Sequence, residues 1–195
     1  MRSFIRIAAP AALFALVTVE PASAHVGAGS TSSFAAGLTH PLGGLDHILA
    51  MVAVGLWAAL KGGRALWVWP CAFVGVMLVG GALGMAGMPL AFVEPGILAS
   101  IVALGILVAL AVDLPVAAGA VLIGVFALFH GHAHGMEAPA AGTALLYAAG
   151  FALATAGLHG VGVLFGLVSR DALWRNVIRG AGAATAAAGL ALAVV

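Results

Sequence analysis

The stretch from Val116 to His134 reads VAAGAVLIGVFALFHGHAH, a run of apolar and glycine residues that ends in three histidines at alternate positions. It contains no Asp, Glu, Lys or Arg and no alternation of period 2, so it suits a helix in lipid far better than a barrel strand. At 1.5 Å per residue it reaches about 28 Å, close to the roughly 30 Å of a bilayer's hydrocarbon core. Working outward, glycines, prolines and charges divide the rest of the chain into similar segments. The apolar segments are Phe34–Leu60, Ala65–Ala86, Gly96–Val112, Val116–His134, Thr143–Val168 and Asn176–Val195. The expected fold is an all-α membrane protein with six transmembrane helices.

Composition agrees. The chain has 195 residues, 64% hydrophobic and 7% charged, whereas soluble domains carry about 25% charged residues. A net charge of +1 excludes a basic nucleic-acid binder and an acidic disordered tail. The single Cys, Cys71, excludes a disulfide framework and a multi-thiolate metal site. Gly-rich runs such as Gly80–Gly84 and Gly180–Ala184 fit close helix packing in lipid.

Arg2 and Arg6 precede the short apolar run Ala8–Val19 and the small triplet Ala22-Ser23-Ala24. This pattern predicts a signal peptide over residues 1–24, removed to leave His25 as the N-terminus of a transmembrane domain over 25–195. Lys61 and Arg64 lie in one connection, and Arg170, Arg175 and Arg179 lie around another. Both clusters are expected on the cytoplasmic side. Six helices then put the mature N-terminus outside, in agreement with a cleaved signal peptide.

That orientation gathers His25, His40, Asp46, His47, Glu94, His130, His132, His134 and Glu137 in the outer half. His159 lies near mid-membrane, and Asp113 and Asp171 lie toward the cytoplasm. Ionisable groups inside a membrane are costly, so each marks a candidate functional site. In His40-Pro41-Leu42-Gly43-Gly44-Leu45-Asp46-His47, the proline and glycines are expected to break the first helix at His40–Leu45, with Asp46 as N-cap of the helical part after the break. From Asp46 to Leu60 only about 22 Å of helix remains, so the break should lie within the membrane, as in transporter ion sites.

At the end of the fourth helix, His130, His134 and Glu137 occupy i, i+4 and i+7 on one face, and His132 points elsewhere. Imidazole and carboxylate at that spacing suit Ni, Zn, Cu(II) or Fe(II). A proton relay or pH sensor is the competing reading. His25 could chelate through its amine and imidazole. Glu94 opens the third helix, where a carboxylate also favours the helix dipole. His159 could pass an ion inward or hydrogen-bond a neighbouring carbonyl. Met85, Met88 and Met136 read as apolar filler.

The two clusters resemble the signatures of the HupE/UreJ family of hydrogenase- and urease-accessory membrane proteins. The resemblance covers the leader ahead of His25, the arrangement His40, Asp46, His47 continuing into Ala50–Trp57, and the run Phe129–Glu137. It implies inner-membrane uptake of Ni(II), or of Co(II), for assembly of a metalloenzyme, with no prosthetic group. It carries over His40, Asp46, His47, His130, His134 and Glu137 as metal-site residues, together with His132. The spacing supports a divalent-metal site, Zn(II) included, while nickel comes from the resemblance.

Three function classes compete. A permease needs ligands weak enough to release the ion, which imidazoles and carboxylates supply and thiolates do not. An intramembrane zinc-dependent hydrolase would hold Zn(II) with three ligands and leave a position for water. For that class there is no separate general base, HExxH or GxSxG pattern in the sequence. A storage or sensing protein would have little use for six spans.

Overall fold

The computed structural model describes residues 33–139, 143–168 and 171–194. The proposed signal peptide and His25 lie outside them. Among the described residues all regular structure is helical, in seven α-helices and one 3-10 turn. In chain order these are α1 (Ser33–Thr39), the 3-10 turn His40–Leu42, α2 (Leu45–Lys61), α3 (Ala65–Met85), α4 (Val93–Ala109), α5 (Val116–Met136), α6 (Ala144–Leu167) and α7 (Ala172–Leu192).

Boundaries follow local chemistry. Gly62 and Gly63 take φ of 73° and 54° between α2 and α3, a left-handed conformation that glycine adopts without steric cost. Two helices begin earlier than the hydropathy pattern suggests. In α4, Pro95 falls in the first turn, where its missing N–H removes no helical bond. Asp171 caps α7 by accepting a hydrogen bond from Trp174 N at 2.7 Å, and Arg175 and Arg179 then lie on the helix rather than in a loop.

α2 is the central element, with neighbours in α3, α4, α6 and α7. Its Met51, Val54 and Trp57 meet Trp69 and Phe73 of α3 and Ile101 and Leu104 of α4 in one buried cluster. Around it, α3 pairs with α5, α4 with α7, and α6 with both α1 and α2. Small residues set these distances. A Cβ on Gly131 or Gly135 of α5 would collide with the backbone of Met77 or Gly81 in α3, and one on Gly55 would collide with His159 O in α6. Packing of this kind drives association where no hydrophobic effect operates between helices.

Three helices, α3, α5 and α6, are long and apolar enough to cross a membrane, and the bent pair Ser33–Leu42 and Leu45–Lys61 makes a fourth candidate span. α4 is a shorter apolar helix of 17 residues. The outward surface is apolar too: Leu145, Leu164 and Val121 are 87%, 70% and 69% exposed. So much contiguous apolar surface requires lipid rather than water, and the fold is that of a multi-pass membrane protein.

Candidate metal centre

The break in the first span builds the site. After α1 the chain turns through His40–Leu42, with Pro41 at the start of the 3-10 turn, and the two helical parts meet at 79°. Gly44, with φ −104° and ψ 119°, is the N-cap of α2. This corrects the expected cap at Asp46, which instead occupies the first turn. The glycine takes the extended conformation that the cap needs, and His47 is thereby turned into the protein.

The His130 to Glu137 run meets this break directly. His40 Nε2 lies 3.0 Å from His134 Nδ1 and 3.1 Å from Glu137 Oε2. Glu137 Oε2 is 3.5 Å from His134 Nδ1. On the other edge of the same ring, His134 Nε2 lies 3.3 Å from His47 Nδ1. Two groups of candidate ligands result, His40–His134–Glu137 and His47–His130–His134, each with its ligand atoms within 4.8 Å of one another. His134 belongs to both. Side-chain exposure falls from 56% at Glu137 to 32% at His40 and 19% at His134, then to 1% at His47 and His130. The groups therefore run in series from surface to interior.

Hydrogen bonds fix the protons. The Ser100 hydroxyl has one proton and lies 2.6 Å from Ile97 O, to which it donates. It must then accept from His130 Nε2–H at 2.8 Å. That tautomer leaves a lone pair on His130 Nδ1, a buried atom without a hydrogen-bond partner, and a lone pair is what a metal ion takes. His47 lies between His134 Nε2, 3.3 Å from its Nδ1, and Thr155 Oγ1, 3.2 Å from its Nε2, so one of its ring nitrogens donates and the other accepts. Outer partners of this kind orient metal ligands. Glu137 lies just beyond the end of α5. The hydrogen bond from His134 holds its carboxyl below the usual range against the opposing effect of burial, with the His134 and His40 charges adding to the lowering.

The remaining sequence candidates go elsewhere. His132 does not join either group: its Nε2 meets Met88 O at 2.7 Å, because residue 132 leaves α5 on a different face. Asp46 is half-buried beside Gly44, whose added Cβ would meet Asp46 Oδ1, and it is in neither group. Glu94 is exposed and lines a cavity of about 910 Å³ with His132, Met88, Met136 and Glu137. Met88 and Met136 are 54% and 68% exposed, so they line the cavity rather than fill core gaps. His159 is buried on α6, apart from both groups.

Comparison with known proteins shows the family. The profile described as HupE / UreJ protein matches residues 13–192. The chain belongs to the HupE/UreJ family. It is 47% identical over 182 residues to Protein HupE of Rhizobium leguminosarum bv. viciae, covering 93% of this chain and 95% of that one. No solved structure matches.

In this HupE/UreJ chain, sequence reasoning missed Ser100 and Thr155, the two hydroxyls that hold His130 and His47. Ser100 is a lone polar residue in the apolar run Gly96–Val112, a signal available from the sequence. It also missed the aromatic wall. Phe151 lies 4.6 Å from the His134 ring and 5.2 Å from the His47 ring, centroid to centroid, and Tyr147 lies 5.8 Å from His40.

Proposed function

We propose that this protein is a permease for a divalent transition metal, carried through the site shared by the two histidine groups. The observation that carries the reading is His134, which offers Nδ1 to the exposed group and Nε2 to the buried one. An ion held by His40, His134 and Glu137 can pass to His47, His130 and His134 by exchanging its bond to His134 Nδ1 for one to Nε2, as the ring proton moves from Nε2 to Nδ1. A hydrolase would need a fixed ion with one open position for water, whereas ligand groups in series suit movement. The protein is accordingly not an enzyme and needs no prosthetic group.

Nickel is the cargo suggested by the family resemblance, in support of hydrogenase or urease maturation. Co(II) and Zn(II) are compatible with the same imidazole and carboxylate ligands. In this reading α4 and α7 also cross the membrane, for six crossings in all. The Lys61 and Arg175 ends face the cytoplasm, the His40 end faces the periplasm and the protein resides in the inner membrane. Glu94 and His132, which line the cavity beside Glu137, and Asp46 in the first turn of α2 contribute to attracting the cation in this reading, with His25 as a further ligand at the mature N-terminus. Ni(II) accumulation in cells, normalised to membrane protein level, tests the reading. His134→Ala should abolish accumulation, and wild-type accumulation by that variant would remove the basis of the site.

A further inference from the structure

The buried face of α6 continues beyond the two groups. Tyr147, Phe151, Thr155 and His159 recur every fourth residue, so they share one face of the helix, and all four are buried. Phe151 packs on His134 and Thr155 meets His47. His159 is the next step, about 6 Å further along at 1.5 Å per residue. It is 1% exposed, and neither Nδ1 nor Nε2 has a hydrogen-bond partner.

A buried polar atom without a partner destabilises the fold, and His159 has two. An apolar side chain would fill the same space without that cost. The surroundings indicate what the nitrogens are for. The His159 ring lies 5.1 Å from the Phe73 ring, and His130 lies 5.7 Å from the same ring. His130 Nδ1 is likewise buried and unpartnered. One turn further along α3 from Phe73, Trp69 stacks on Trp57 at 4.2 Å. Trp57 Nε1 donates to Val112 O in the α4–α5 connection at 2.8 Å, and Trp69 Nε1 donates to Val116 O at the start of α5 at 2.9 Å. Beyond them the Lys61–Asp113 ion pair links α2 to that connection.

We propose that His159 is an inner station for the transported metal, receiving the divalent ion from the His47–His130–His134 group and holding it above the Trp57–Trp69 pair. This rests on the permease reading. The proposed ligands are His159 and the unpartnered Nδ1 of His130, whose rings both lie within 6 Å of the Phe73 ring, with water completing the shell. Two imidazoles are fewer than the three or four protein ligands of a stable zinc site, and a weaker hold suits an ion about to leave. The glycine contact between Gly55 and His159 O keeps the α6 backbone fixed against α2 at this depth.

The test uses the full protein, purified in detergent and reconstituted in vesicles, with His159→Gln and His159→Asn, which keep a polar side chain in the space. Co(II) binding by visible absorption reports the outer groups, and Ni(II) uptake reports delivery. The expected result is Co(II) binding like that of the wild type with uptake reduced at least about tenfold, the scale of losing one metal-supporting group. Wild-type uptake by the variants would overturn the station while leaving the permease reading intact. Loss of Co(II) binding together with uptake would also overturn it, since His159 would then only support the other groups. Absence of uptake by the wild type would overturn the permease reading itself and the station with it. Crystals of the wild type soaked in Co(II) give an answer independent of how the variants fold. Anomalous density about 2.0–2.2 Å from a His159 nitrogen is expected, and density confined to the other histidines at saturating Co(II) would refute the station.

Discussion

Replacing Ser100 by Ala removes a single oxygen, lying 2.8 Å from His130 Nε2, where Ser100 and His130 are 0% and 1% exposed. No water reaches Nε2–H, so its desolvation goes uncompensated, at about 1–3 kcal/mol of stability. The larger effect is on the proton. Without an acceptor at Nε2 the ring no longer favours the tautomer with a free Nδ1, and a proton on Nδ1 blocks the lone pair offered to the ion. Loss of such a partner typically weakens metal affinity 10–100-fold, or about 1.4–2.8 kcal/mol at 1.4 kcal/mol per decade. Equilibrium binding of Co(II) to the purified protein, followed by visible absorption alongside thermal melting, measures both effects. Ser100→Ala should lower affinity by that factor, and Ser100→Thr, which keeps the hydroxyl, should lower it far less. Unchanged affinity in Ser100→Ala with a lowered Tm would show the hydroxyl to be structural only and would refute the tautomer argument.

Glycines distinguish packing from helix propensity: Gly131→Ala drives a Cβ into the Met77 backbone and should lower Tm, at about 1–3 kcal/mol for overpacking. Gly157→Ala meets no atom within 4 Å and should raise stability by about 0.5–1 kcal/mol. An equal loss in both variants would contradict the proposed role of close α3–α5 approach. Glu137→Gln keeps the shape but removes a carboxylate that stays anionic below the usual range, so Ni(II) affinity should fall, with the loss read by equilibrium dialysis. N-terminal sequencing of membrane-extracted protein should begin at His25, and recovery of intact Met1 as the dominant species would contradict cleavage.

Much of the fold was legible in the sequence because lipid imposes a simple rule. Apolar length marks a helix, and a histidine or carboxylate inside one needs a reason. Phe34–Leu60 with Pro41, Gly43 and Gly44 announced a broken span, and the 79° bend is there. Helical periodicity accounts for His130 and His134 on one side of α5 and His132 on another, whereas Glu137 lies past the helix end and reaches His40 and His134 from there. The cap was misread because Asp46 has the preferred chemistry while Gly44 has the backbone freedom at the position that needs it. Arg175 and Arg179 hid the first turns of α7, since charge at a helix surface reads like a connection. Ser100, Thr155 and Phe151 could not be assigned because their roles depend on which helices meet. No local pattern says that α4 lies beside α5, or that α6 lies beside α2.

The most direct test is ion uptake by vesicles holding only the purified protein, with Ni(II), Co(II), Zn(II) and Cu(II) compared for the wild type and His134→Ala. The expected result is saturable uptake of Ni(II) by the wild type and none above empty vesicles by His134→Ala, although that variant is equally incorporated. Uptake undiminished in His134→Ala, or no uptake of any of the four ions by the wild type, would contradict a permease built on the imidazole shared by the two groups.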